Sequence, residues 1–152
     1  MIEIKNTDTP VVQQWKKIKK SYLEEIVFYR LGDFYELFYE DAINASRLLN
    51  IQLTKRKNKN ENIPMAGVPF HSANSYIAKL LNFGYSVVIC EQVGESNESK
   101  GLMERRVERV LTPATVFEEE FLEEKKYNLL LSIYFNLKEK KASLTTMDVS
   151  TG

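Results

Sequence analysis

Chemistry is concentrated in ten residues, Arg30-Leu31-Gly32-Asp33-Phe34-Tyr35-Glu36-Leu37-Phe38-Tyr39, where four aromatic rings fall within six positions beside two carboxylates. Two arrangements of these residues lead to different chemistry. In the first, a helix begins at Phe34. Asp33 caps it, Glu36 returns a hydrogen bond to the cap's own N–H, and Tyr35 and Phe38 face the core. In the second, Phe34 and Glu36 project from the exposed start of that helix toward a partner. An aromatic ring held beside a glycine break can enter between stacked base pairs and kink a duplex. Insertion is cheaper where pairing is already broken, which selects damaged or mismatched steps without reading a sequence. A carboxylate two residues away would accept a hydrogen bond from an exposed base edge and would repel the phosphates of intact duplex. The same aromatics could instead dock a protein. Residue types alone leave these readings open, and capping is compatible with DNA contact.

Other constellations point to weaker chemistry. Asp33, Glu36 and Glu91 could gather as the acidic cluster of a metal-dependent nuclease, but Ile89-Cys90-Glu91-Gln92 brings no lysine to accompany them. His71 is the single histidine, so the chain cannot build a His-based metal site, and His71 reads as a helix-start or packing residue. The stretch Gly94–Gly101 ends in Ser99-Lys100-Gly101 but lacks the Gly-x-x-x-x-Gly-Lys-Ser/Thr order that cradles phosphates, so no ATP site is expected here. Lys55-Arg56-Lys57-Asn58-Lys59 is either a solvated loop or a phosphate contact. The expected role is binding without catalysis, metal or cofactor.

These residues need elements to position them. Thr9 and Pro10 open an amphipathic helix over 10–21, with Val11, Trp15, Ile18 and Tyr22 on one face and lysines on the other. Glu25–Arg30 is β-branched and aromatic and predicts a buried strand, broken by Leu31-Gly32. The spacing predicts a second helix from Phe34 to Leu49, a short strand at Ile51–Thr54, an exposed loop over 55–62 and a rigid connection between Pro64 and Pro69. A third helix runs from His71 to Phe83, with Ser72 as its cap and Gly84 ending it. Tyr85–Glu91 and Arg105–Thr112 read as strands, with a polar loop between them. Glu118–Lys126 reads as a charged short helix at a boundary. Tyr127–Leu137 and Ala142–Val149 then form a hairpin, which is marginal in water unless something packs on it. The chain is expected to be cut off there.

Composition agrees with a folded chain. Of 152 residues 43% are hydrophobic, enough for a core, and no apolar run reaches the length of a membrane span. Lysine plus arginine equals aspartate plus glutamate at 21 each, which argues against indiscriminate nucleic-acid binding. The N-terminus lacks signal-peptide character, and the lone Cys90 sits in an apolar run, so a cytoplasmic location is expected.

Phe28-Tyr29-Arg30-Leu31-Gly32-Asp33-Phe34-Tyr35-Glu36 resembles the segment that carries the Phe-x-Glu motif of the MutS family of DNA mismatch repair proteins. The resemblance continues through Thr9–Trp15, Leu53–Arg56, Ile63–His71, Val88–Gln92, Lys100-Gly101, Arg109–Pro113 and Asp148–Gly152. It thus covers essentially the whole chain in order. It implies an α/β (α+β) fold: a mixed β-sheet flanked by helices over 1–116, a linker at 117–126, and at 127–152 the first hairpin of a ribonuclease H-like connector domain. It further implies that Phe34 stacks at a mismatch from the minor groove and that Glu36 hydrogen-bonds the base. Arg56 and Lys55 would lie near the DNA backbone, and Met65 or Leu31 would line the groove beside the ring. Later family domains would supply ATP and Mg²⁺ binding, a homodimer and contacts to a MutL-type partner. Two positions depart from the commoner pattern. Leu31 stands where methionine is frequent, which changes little, and Ala114 stands where glycine often follows Thr-Pro, which leaves that turn in doubt.

Overall fold

In the computed structural model, which describes residues 2–59, 61–93, 103–113 and 129–148, the predicted first strand is β1, Ile26–Leu31. It lies inside a sheet of order β3-β4-β2-β1-β5-β6, built with β2 (Phe34–Phe38), β3 (Thr54–Asn58), β4 (Glu61–Pro69), β5 (Val87–Val93) and β6 (Glu104–Leu111). β1 runs parallel to β5 and every other pairing is antiparallel, so the sheet is mixed, as expected. Helix α1 (Pro10–Lys19) covers one face, while α2 (Tyr39–Leu49) and α3 (Ala73–Asn82, after a 3-10 turn at Phe70–Ser72) belong to the other.

Period-two alternation sorts the core between these faces. Ile26, Phe28, Tyr35, Leu37, Ala66, Val68, Val87 and Ile89 pack with Ala42, Ala45, Ile77 and Leu80 of α2 and α3. Val27, Tyr29, Phe38, Ile63, Val88 and Cys90 pack with Val11, Val12 and Trp15 of α1. Two buried ion pairs fasten the helices. Lys19 Nζ lies 2.7 Å from Asp41 Oδ1, and Asp41 Oδ2 accepts the Val27 N–H at 3.0 Å, joining α1, α2 and β1. Lys16 Nζ donates to Asp8 Oδ2 at 2.9 Å, while Asn58 Nδ2 donates to Asp8 Oδ1 and Asn58 Oδ1 accepts from the Thr9 N–H. These bonds tie the start of α1 to the β3–β4 turn.

Two expectations are corrected. Phe34–Phe38 is a strand, and the helix begins only at Tyr39. Gly32 takes φ +60° at the first position of a two-residue turn, so Leu31 pairs with Phe34 in a tight hairpin rather than leading into a helix. The Asp33–Glu36 capping box therefore does not form. The chain turns from β2 into α2 at Tyr39, whose φ is +52° and whose ring stacks on Trp15 at 5.4 Å. A non-glycine residue pays roughly 1–2 kcal/mol for that backbone region, and the stacking offsets part of it. The second correction concerns 51–69. The expected loop and rigid connection are the β3–β4 hairpin, with Lys59 at φ +43° in its turn, and the short strand expected at 51–54 starts only at Thr54. Pro64 and Pro69 are tolerated because β4 pairs with β3 over Glu61–Met65 and with β2 over Met65–Pro69. Each proline therefore faces a neighbouring strand on one side only. Lysines along β3 guard the sheet edge.

The third helix starts after the 3-10 turn. Ser72 stands at its N-cap without a side-chain cap bond, and Gly84 follows its end at φ +86°. β7 (Leu129–Asn136) and β8 (Lys141–Asp148) pair as the expected antiparallel hairpin, with Leu129, Leu131, Ile133, Tyr134, Phe135 and Leu144 exposed. The expected loop at 94–101 and the charged linker at 117–126 lie outside the described residues. Among the described residues no helix is long and apolar enough to cross a membrane.

Candidate nucleic-acid interface

Alternation along β2 sends Phe34, Glu36 and Phe38 to the α1 face of the sheet, and register places Leu31 and Pro69 beside Phe34, Tyr29 and Gly67 beside Glu36, and Met65 beside Phe38. α1 covers only part of this face. Trp15 meets Phe38 edge-on at 5.8 Å and Phe38 is fully buried, whereas Phe34, at the hairpin tip, is 47% exposed. The ring lies over bare backbone. A Cβ on Gly67 would stand 3.8 Å from Phe34 Cδ1 and 4.0 Å from Glu36 Cγ, so a larger side chain there would fill the space beside both.

Glu36 is not a free carboxylate. Arg56 on β3 reaches diagonally across β4 and donates Nη1–H to Glu36 Oε2 at 2.9 Å, with its guanidinium 5.9 Å from the Phe38 ring. Burial pushes the Glu36 carboxyl above its ordinary value. The charge and hydrogen bond of Arg56, and the charge of Arg105, counter only part of that rise. Arg105 on β6 was not singled out in the sequence. It is 5% exposed, donates Nε–H to the Arg30 carbonyl at 3.0 Å and Nη1–H to the Met103 carbonyl at 2.6 Å, and sits over the Tyr29 ring. The alternation of β6 could have placed it on this face, but its burial depends on carbonyls that no pattern announces.

The structure thus brings Phe34, Glu36, Arg56, Leu31 and Met65 to one face, with Leu31 and Met65 packed half-buried at the margin of the α1-side core. Lys55 is not among them. It is exposed and, one position from Arg56 in β3, belongs to the opposite face. Glu91 is also on the opposite face from Glu36, where it accepts a hydrogen bond from the Tyr35 hydroxyl, so the nuclease-like acidic trio is not assembled. On that side lies an open cleft of about 850 Å³ lined by Arg30, Tyr35, Phe70, His71, Glu91 and Arg109 among others, with the Arg30 guanidinium 3.5 Å from the Phe70 ring centroid. His71 lies in the 3-10 turn that leads into α3, the helix-start position expected of it.

A half-exposed aromatic ring on a strand, next to a partly buried carboxylate held by an arginine, suits contact with a planar, hydrogen-bonding partner. Comparison with known proteins gives the lineage. The family model for MutS domain I matches residues 9–120. Proteins named DNA mismatch repair protein MutS from Staphylococcus aureus strains JH9 and Newman are each 52% identical over 145 residues, covering 95% of this chain. This chain spans 16% of the length of those curated relatives. The chain belongs to the MutS family and carries that family's domain I.

Proposed function

We propose that this chain senses mismatched or unpaired bases in duplex DNA, the first step of mismatch repair. Phe34 enters the minor groove at the mispaired step and stacks, Glu36 accepts a hydrogen bond from the displaced base edge, and Leu31 and Met65 line the groove beside the ring. Arg56 lies near the backbone, and Lys55 reaches phosphates only from the far side of the β3 edge. The observation that carries this reading is the pairing of an exposed Phe34 with Glu36 on one face of the wedge strand. Stacking on a base contributes about 1–3 kcal/mol, while bending a site by tens of degrees costs on the order of 1–6 kcal/mol. The two balance only where a mispair has already lowered the cost of deformation. With equal numbers of basic and acidic residues, the 152-residue chain has few phosphate contacts to add and binds weakly by itself.

The chain divides, on this reading, into a sensing domain over 1–116, a linker over 117–126 and the start of a ribonuclease H-like connector at 127–152. The segment itself catalyses nothing. It does not fit ATP, because no Gly-x-x-x-x-Gly-Lys-Ser/Thr order occurs anywhere in the sequence. ATP with Mg²⁺, homodimerisation and a MutL-type partner belong to the rest of a longer family protein acting in the cytoplasm. Titrating matched and mismatched duplexes while following the amides of Gly32–Glu36 tests the reading. Shifts confined to this hairpin and larger with the mismatch are expected. Equal response to both duplexes, also in a longer polypeptide carrying this chain, overturns it.

A further inference from the structure

On the reading above, Glu36 meets DNA with a partner already attached. Arg56 binds Oε2 at 2.9 Å, and the two side chains are only 29% and 16% exposed, so the pair is shielded from solvent. Three features single Arg56 out. Its guanidinium is seated near the Phe38 ring, a fully buried platform. Gly67, paired with Glu36 on β4, places no side chain directly beside the carboxylate. The other cation that acts on Glu36, Arg105 of β6, is committed to the carbonyls of Arg30 and Met103, and Tyr29 of β1 donates its hydroxyl to Gln14. Arg56 is therefore the group that orients this carboxylate.

We propose that Arg56 is a positioning residue for base recognition: by holding Glu36 Oε2 it aims Oε1 alongside Phe34 and masks the carboxylate's charge, so selectivity belongs to the pair rather than to Glu36 alone. This rests on the mismatch-sensing reading and goes beyond it. A simple backbone contact strengthens every duplex alike, because phosphates carry no sequence or pairing information. A positioning arginine instead alters the ratio of mismatched to matched affinity, and only while Glu36 is present to be positioned.

The test compares Arg56→Met, Arg56→Lys, Glu36→Gln and the Arg56→Met/Glu36→Gln double variant in the full polypeptide, each against a matched and a mismatched duplex. Arg56→Met keeps a long apolar side chain without the charge, and Arg56→Lys keeps the charge but loses the planar fork. Coupled neighbours deviate strongly from additivity. Arg56→Met should therefore lower the mismatched-to-matched ratio about tenfold when Glu36 is present, and by less than about twofold when it is added to Glu36→Gln. Arg56→Lys should recover the ratio in part. Independently of DNA, carbon-13 NMR should find the Glu36 carboxyl titrating at higher pH in Arg56→Met than in the parent chain. Equal loss on both duplexes, with or without Glu36, makes Arg56 a phosphate contact and overturns the inference. So does an unchanged Glu36 titration. If the parent protein itself shows no preference for the mismatch, the sensing reading fails, and the inference falls with it.

Discussion

Phe34→Ala separates the proposed wedge role from the fold, because the ring is only half-buried. Fully burying a phenylalanine side chain contributes about 1.5–3 kcal/mol, so a residue 47% exposed forfeits about 1 kcal/mol of folding stability when truncated. Phe34 pairs in register with Leu31 and Pro69, and Gly67 of β4 faces its ring without a side chain; none of the three belongs to the fully buried set. A loss of about 1 kcal/mol lowers the melting temperature by about 4–8 °C in a domain of up to a hundred residues. Losing a base stack costs about 1–3 kcal/mol, which is roughly 5- to 150-fold in affinity. On the proposed reading that loss should fall on the mismatched duplex, where the mispair has already lowered the cost of insertion. Because the contact is apolar, the dependence of binding on salt should stay the same. Fluorescence anisotropy with matched and mismatched duplexes at two salt concentrations, beside a thermal melt, measures all three quantities. A mismatched-to-matched ratio that moves less than about twofold, with the melt within the stated range, would falsify the wedge, since that is far below one base stack.

Three further outcomes follow from other contacts. The folded chain holds the Glu36 proton more tightly than the unfolded chain does, because burial raises its pKa. Its contribution to stability is therefore fullest below the ordinary 4.5 and is lost as pH rises through the raised value. On the proposed reading, matched-duplex affinity should rise as pH falls through that same window, and Glu36→Gln should flatten the rise. Asp41→Ala leaves the buried Lys19 ammonium without its counter-ion and should destabilise by about 3–5 kcal/mol in a urea melt. The joint replacement Lys19→Met/Asp41→Leu should cost far less, and equal losses in the two would contradict the buried-charge account. Burial pushes the Cys90 thiol up to about 12, so it should stay unmodified by iodoacetamide at pH 8 until the chain unfolds. Rapid labelling of the native protein would show that β5 is not closed over it.

Where side chains sort by one clear period, the fold was legible. Glu25–Arg30 and Tyr85–Glu91 centre on the unbroken apolar runs Ile26–Tyr29 and Val87–Cys90 because both faces of a central strand are covered, and each matches β1 or β5 within two residues. Residues 34–39 misled because Phe34, Tyr35, Phe38 and Tyr39 satisfy a helical spacing as well as an alternating one. Asp33 and Glu36 also imitate a cap. The left-handed turn at Gly32 decided the matter, and it is a tertiary choice between hairpin and break. Residues 55–62 misled by charge. Lysines on an edge strand look like a loop unless the alternation of Lys55, Arg56 and Lys57 is weighed above composition. Phe34 and Glu36 stood out by type, and the family resemblance gave them a role. The Arg56–Glu36 pair was invisible in the sequence because it depends on two registers at once, β3 on β4 and β4 on β2. The resemblance assigns both Arg56 and Lys55 to the DNA backbone, and in β3 these two neighbours face opposite ways.

The parallel pairing of β1 with β5 sets an order of events during synthesis. β1 and β2 meet through a two-residue turn, and β3 and β4 through another short one, so these pairs form from local contacts. The other edge of β1 must wait for Val87–Cys90, about sixty positions later along the chain. Until those residues leave the ribosome, Ile26–Tyr29 present unpaired N–H and C=O groups on an apolar strand, an open template for another nascent copy. A ribosome stalled before β5 has emerged should therefore display an aggregation-prone chain, whereas one stalled far enough on for Leu111 to have emerged should not. Pelleting assays on arrested chains of the two lengths would tell, and equal solubility would count against this order. The β1–β2 hairpin is thus the early part of the domain, and its protection from misassembly arrives late.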